Sequence, residues 1–167
     1  MTVLVIGQPD SGKSKLAEEK AVELNQGQKY YLATMQILDD AGKERVKRHR
    51  SMRKGKGFIT LEEEREILRI LPEIRDPEHA TVLLECISNL AGNIMHDPSG
   101  GMDPDRVVKL VTEDVRTLSD RVEHLILVSN HFPEDASYDE ETAAYIRILE
   151  RINGRLREEA DIVYECS

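Results

Sequence analysis

Positive charge is outnumbered in this chain. The 23 lysines and arginines face 32 aspartates and glutamates, a net charge of −9 over 167 residues. That balance excludes the broad basic face that displaces counterions from a nucleic-acid backbone. No apolar run approaches the roughly 20 residues that span a bilayer, and the stretch Val3 to Ile6 is too short for the apolar part of a signal peptide. A cytoplasmic protein with no membrane span and no nucleic-acid partner is expected. Cysteine is almost absent too: Cys86 and Cys166 lie far apart and match no ligand spacing. They read as buried or idle thiols, with no disulfide and no structural zinc. Internal repeats and low-complexity tracts are missing, and the length suits residues 1–167 as a single compact domain.

What the chain does have is alternation. The β-branched run Thr2 to Ile6 stops at Gly7, and Lys13 to Asn25 has helix-forming composition closed by Gly27. Lys29 to Thr34 reads as a second strand, and Asp39 to Arg53 as a largely solvated helix. After the breaks at Gly55 and Gly57 come a short strand Phe58 to Leu61, a helix Glu63 to Leu71 closed by Pro72, and an apolar strand Thr81 to Cys86. The pattern predicts a helix Ile87 to Met95, a loop Asp97 to Asp105, and a helix to Arg121 with Val107, Val108, Val111, Val115 and Leu118 on one stripe. A strand His124 to Ser129, a long helix Tyr138 to Ala160 burying Ala144, Ile148, Ile152 and Leu156, and a strand Asp161 to Glu165 complete the series. Strands that are continuously apolar belong to parallel sheets covered by helices on both faces. The expected class is therefore α/β, a mostly parallel sheet flanked by helices.

Between the first strand and the first helix stand Gly7, Gln8, Pro9, Asp10, Ser11, Gly12, Lys13 and Ser14. They fit the P-loop pattern of Gly, four residues, Gly, Lys and Ser or Thr, in the strand-loop-helix context that the pattern requires. Glycines let the backbone turn its amides toward phosphate oxygens, and the helix start adds the positive end of its dipole. Lys13 is expected to reach the β and γ phosphates, and the Ser14 hydroxyl to bind Mg2+. The fold expected from this motif is P-loop NTPase-type, RecA-like.

A second concentration of chemistry surrounds one histidine. Lys43, Arg45, Lys47, Arg48, Arg50, Arg53, Lys54 and Lys56 crowd one short window around His49. A solvated helix face is the ordinary meaning of such a run. On a helix, however, Arg45, His49 and Arg53 share one face at intervals of four. Surrounding cations favour a neutral, nucleophilic imidazole and stabilise charge on phosphoryl oxygens, so His49 is a candidate covalent nucleophile.

With these segments in this order, the chain resembles the bifunctional adenosylcobinamide kinase and adenosylcobinamide-phosphate guanylyltransferase family of cobalamin biosynthesis. The resemblance rests on the P-loop, Tyr31-Leu32-Ala33-Thr34 leading to Asp39-Asp40, and Arg45-Val46 running into His49-Arg50 and Arg53. It continues through Gly57-Phe58-Ile59-Thr60 with Glu62, Leu83-Leu84-Glu85-Cys86 with Asn89 and Asn93, Ser129-Asn130, and Arg151-Ile152-Asn153 with Leu156. It implies phosphorylation of the aminopropanol hydroxyl of adenosylcobinamide by ATP or GTP. Transfer of GMP from GTP to the matching His49, and from there to the new phosphate, would follow.

By the same resemblance Gly7 to Ser14, Ala33, Thr34, Met35, Arg50, Ser51, Met52, Arg53, Glu62 and Glu85 contact the guanine nucleotide, and the protein is a homotrimer. Glu85, ending an apolar strand, holds Mg2+ with Ser14 in this reading; a surface carboxylate at a strand terminus is the plainer alternative. Asp39 and Asp40 read as helix caps. Two departures from the family pattern stand out. His131-Phe132-Pro133 replaces a Glu-Val-Gly continuation, and the chain ends at Glu165-Cys166-Ser167 where the family runs on. A P-loop small-molecule kinase without the guanylyltransferase step, or a diverged GTP-binding regulator, are the alternatives.

Overall fold

The computed structural model describes residues 1–36 and 40–167, with Met52 described by its backbone alone; the expected cap Asp39 lies outside the described residues. The apolar runs become strands β1 (Thr2–Gly7), β2 (Lys29–Ala33), β3 (Phe58–Glu62), β4 (Thr81–Glu85), β5 (His124–Asn130) and β6 (Ile162–Cys166). They form one sheet of order β3-β2-β4-β5-β1-β6, and every pairing is parallel. Parallel neighbours need crossovers. Helices α1 (Lys13–Leu24), α2 (Asp40–Arg53), α3 (Ile87–Met95), α4 (Pro104–Arg121) and α5 (Glu140–Glu159) supply them.

Successive strand residues face opposite layers, and the core divides accordingly. Val3 and Val5 of β1 join Leu83, Ile126 and Val128 beneath Ala17 and Ala21 of α1. Leu4 and Ile6 join Leu84, Leu125 and Leu127 beneath Ile87 and Leu90 of α3 and the apolar stripes of α4 and α5. All five residues expected on the α4 stripe are buried; on α5, Leu149 joins Ile148, Ile152 and Leu156, while Ala144 is half-buried. At about 25 cal/mol per Å² of apolar surface removed from water, these two layers are what hold the strand ends in place.

One expected element fails. No helix runs from Glu63 to Leu71 closed by Pro72; instead Ile67–Glu73 is a 3-10 helix with Pro72 inside it. The Glu63 carboxylate accepts from the backbone N–H of Arg65 at 3.3 Å and of Glu66 at 3.1 Å. That side-chain turn competes with α-helical bonding, and a short 3-10 segment has few ladder bonds for Pro72 to break. A second 3-10 turn, Pro77–His79, precedes β4.

Register aligns the strand ends in one row. Ala33 pairs with Glu85 on one side and Glu62 on the other, and Gly7 pairs with Asn130 and Cys166. In open parallel sheets, ligands bind outside the carboxyl ends of the strands, and every candidate element of the site leaves the sheet along this edge.

Candidate active site

Two glycines shape the P-loop. A Cβ on Gly7 would collide with the carbonyl oxygen of Cys166 on the neighbouring strand and crowd Ser11 Oγ. Gly12 has φ +83° and Asp10 φ +60°, left-handed turns that curve the backbone into an anion-binding concavity. Gly12 precedes α1 without a side-chain cap, so the first-turn amides remain directed at a ligand. Lys13 is 8% exposed, and its Nζ donates to the Gln8 carbonyl at 3.2 Å. Burial lowers its pKa, while Cys86, Glu85 and Asp10 pull it upward.

Facing this loop, Glu85 ends β4 with 7% exposure. Its Oε2 accepts from the Tyr31 hydroxyl at 3.0 Å and lies 2.8 Å from His49 Nδ1. A carboxylate only accepts, so the shared proton is on Nδ1, and in the neutral ring Nε2 is then the nitrogen that carries the lone pair. Burial alone would raise the Glu85 pKa, but His49, Tyr31 and the Ser14 hydroxyl outweigh it and hold the carboxyl below the ordinary 4.5. Tyr31 moves the other way, because burial and the neighbouring Glu85 charge keep its hydroxyl protonated. The guanidinium of Arg53 stacks on the Tyr31 ring, 3.4 Å from its centroid, a desolvated cation-π contact that fixes the last turn of α2.

These groups line one cleft of about 1130 Å³. Pro9 to Ser14, Ala33, Met35, Arg45, His49, Arg50, Arg53, Glu62 and Glu85 all border it, so the P-loop and the α2 face expected from the sequence meet in a single cavity. Gly7 and Gln8 are not among its lining residues; the Gln8 carbonyl accepts from Lys13. Thr34 does not reach the cleft: it is fully buried, donating its hydroxyl to the Cys86 carbonyl and accepting from the Cys86 N–H, both at 2.9 Å. Ser51 is exposed on the outer groove between α2 and β3, and the Met52 side chain lies outside the description. Arg50 forms an exposed pair with Glu62 at 3.7 Å, worth little in water and readily exchanged for an anionic ligand. Arg45 and Arg48 line the cleft with no ion pair among the described residues.

Three buried polar atoms in this cavity lack a hydrogen-bond partner among the described residues: Ser11 Oγ, Arg53 Nη1 and Glu85 Oε1. Leaving such atoms unpaired costs about 1–3 kcal/mol each, and their chemistry suits a phosphate with its cation. The Glu85 carboxylate and the Ser14 hydroxyl that interacts with it form a donor set of hard oxygens that fits Mg2+.

The family model described as "Cobinamide kinase / cobinamide phosphate guanyltransferase" matches residues 3–167. The chain belongs to this family. It is 31% identical to the bifunctional adenosylcobalamin biosynthesis protein CobU of Salmonella typhimurium (strain LT2), over 98% of this chain and 94% of that protein. With the CobU protein of the same description from Escherichia coli (strain K12) it shares 36% identity over 63% of this chain, a match spanning about half of that protein, 56%. Among solved structures, an ATPase domain covers 98% of this chain and is itself covered over 68%, with a TM-score of 0.55 and 13% identity. That likeness shows the fold, a P-loop NTPase sheet of the RecA-like kind. P-loop enzymes of this sort generally act on nucleotides with Mg2+.

Sequence reasoning missed several residues that build this cleft. Tyr31 stands in the sequence only as part of a strand end, yet it holds both Glu85 and Arg53. Cys86, expected to be a buried or idle thiol, is free and buried, and it also caps α3 by accepting from the Asn89 N–H at 3.4 Å and contacts Ser88 Oγ at 3.0 Å. Lys56 reaches the buried Glu18 of α1 at 3.0 Å, joining the loop after α2 to the P-loop helix. Phe132, visible only as a departure from the family pattern, borders the cleft with Tyr145.

Proposed function

We propose that this chain phosphorylates the aminopropanol hydroxyl of adenosylcobinamide with ATP or GTP and then guanylylates the product through His49. Family membership supports the reaction class. The observation that carries the reading is the contact between His49 Nδ1 and Glu85 Oε2, 2.8 Å long at the edge of the P-loop cleft, because it leaves Nε2 as a lone-pair donor beside a triphosphate site.

In the first step the acceptor hydroxyl oxygen attacks the γ-phosphorus. The bond to the bridging oxygen breaks, its electron pair leaves with the nucleoside diphosphate, and the hydroxyl proton passes to water. Lys13 and the α1 amides offset the charge that builds on the phosphoryl oxygens. In the second step His49 Nε2 attacks the α-phosphorus of GTP and pyrophosphate leaves with the electron pair of the broken P–O bond. Glu85 holds the Nδ1 proton and balances the positive charge of the guanylylated ring. An oxygen of the acceptor phosphate then attacks the same phosphorus, the N–P bond breaks, and its electron pair returns to Nε2, giving adenosylcobinamide-GDP. Ser14 Oγ and Glu85 Oε1 are the groups that would hold Mg2+, which when bound screens the triphosphate oxygens from an incoming nucleophile.

Contacts of Ala33, Met35, Arg50, Arg53 and Glu62 with the guanine nucleotide, a homotrimer of single-domain chains with α2 near a subunit boundary, and a cytoplasmic setting belong to the same reading. Light scattering that returns the mass of three chains supports the trimer; a monomer removes it. Incubation with α-labelled GTP and Mg2+ tests the chemistry. Acid-labile, alkali-stable label on the wild type and none on His49→Ala is expected. Folded wild type that phosphorylates cobinamide but takes no label leaves a kinase alone, and tight GTP binding without either reaction leaves a regulator.

A further inference from the structure

The cleft is large for a single ligand. Its volume of about 1130 Å³ exceeds the roughly 300–1,000 Å³ of ordinary single-ligand pockets, and its lining changes character across it. The cations come from the P-loop and α2. Between α3 and α5 the lining residues Asn89, Asn130, Phe132 and Tyr145 are uncharged, while Glu62, Glu63 and Glu64 border the cleft from the end of β3. Arg65, which also borders the cleft, is committed elsewhere, donating to the Asn93 carbonyl at 3.0 Å and pairing with Glu64 and Asp97.

The neutral side is a held surface. The Tyr145 hydroxyl donates to the Ser88 carbonyl at 2.9 Å, and the Asn130 amide donates to Ser88 Oγ at 2.6 Å. Phe132 packs against Tyr145 with ring centroids 6.2 Å apart at 55°, so the two rings brace each other. The Asn89 carboxamide has no hydrogen-bond partner of its own among the described residues. A polyphosphate gains nothing from such a surface. A neutral organic molecule with amide groups does, through apolar contact with Phe132 and paired hydrogen bonds with Asn89, which both donates and accepts.

We infer that Phe132, Tyr145 and Asn89 form the acceptor subsite of this cleft, taking the uncharged, amide-bearing arm that carries the hydroxyl to the P-loop. The assignment rests on the cobinamide reading above, and Phe132 acts in it as a specificity residue.

The test compares wild type with Phe132→Ala, Phe132→Leu and Asn89→Ala, measuring cobinamide binding by corrinoid absorbance, cobinamide phosphorylation, and self-labelling by α-labelled GTP without acceptor. Loss of one such contact is expected to weaken cobinamide binding and raise its KM by about tenfold in Phe132→Ala and Asn89→Ala. Phe132→Leu, which keeps apolar bulk and guards against misfolding, should lose less. Self-labelling and the KM for GTP should stay within about twofold of wild type. Unchanged cobinamide KM in correctly folded variants overturns the subsite while the function stands. So does a raised KM for GTP instead, which gives this surface to the guanine base. Wild type that neither binds nor phosphorylates cobinamide overturns the function reading itself, and the acceptor assignment with it.

Discussion

His49 Nδ1 and the Tyr31 hydroxyl converge on one oxygen of Glu85, at 2.8 Å and 3.0 Å, while the other oxygen has no partner among the described residues. The carboxylate thus divides its work between orienting an imidazole and facing the P-loop. Replacing it with an amide keeps the shape and removes the charge that balances a substituted ring. Glu85→Gln is expected to slow guanylylation of His49 by about 10- to 100-fold, with the melting temperature measured alongside to show that the fold persists. Guanylylation at the wild-type rate would show that Glu85 does not orient His49.

Glu85 also links stability to acid. Its carboxyl is held below the ordinary 4.5, so the folded state favours the ionised form. The resulting stabilisation is fully present above about pH 4.5 and disappears as pH falls through the lower folded-state value. Urea unfolding of wild type and Glu85→Gln should therefore differ most near neutrality and converge in stronger acid. A difference that grows on acidification contradicts the assignment.

Arg53 makes a flat contact that lysine cannot reproduce. Its guanidinium lies over the Tyr31 ring with one nitrogen, Nη1, buried and without a hydrogen-bond partner among the described residues. Arg53→Lys retains the charge and loses the stack and the fork of donors. An increase of about fivefold to twentyfold in the KM for GTP is expected, corresponding to roughly 1–2 kcal/mol, and steady-state kinetics at varied GTP measure it.

The pair between Lys56 and Glu18 ties the end of the α2 segment to the P-loop helix. Glu18 is 1% exposed, whereas Lys56 reaches the surface, so removing the carboxylate should cost less than the roughly 3–5 kcal/mol of a fully buried pair. Glu18→Ala is expected to lose about 1–3 kcal/mol, lowering the melting temperature by roughly 2–4 °C for each. Calorimetry that shows no change would remove this pair from the frame of the site.

How much of this was readable beforehand depended on whether the signal was local. Gly7 to Ser14 announce themselves because phosphate binding needs those types at those spacings, and His49 because its cations are its sequence neighbours. The parallel sheet followed from strands apolar on both faces, and the α4 stripe from its period. Tyr31, Thr34 and Cys86 carried no such mark. Their roles arise only when β2 pairs with β4, so that a tyrosine meets a glutamate and a threonine hydroxyl bridges to a cysteine backbone. The segment after Glu63 misled because helix-forming composition lost to a side-chain turn, and Pro72 was tolerated by a 3-10 geometry. Phe132 was visible as an oddity, but only the fold set it against Tyr145 on the cleft.

Whether His49 is the nucleophile is decided by covalent labelling of the protein with α-labelled GTP, Mg2+ and no acceptor. Acid-labile, alkali-stable label that maps to His49, vanishes in His49→Ala and is discharged to cobinamide phosphate is the predicted result. Correctly folded wild-type protein that binds GTP but takes no label, or takes it at another residue, would contradict it.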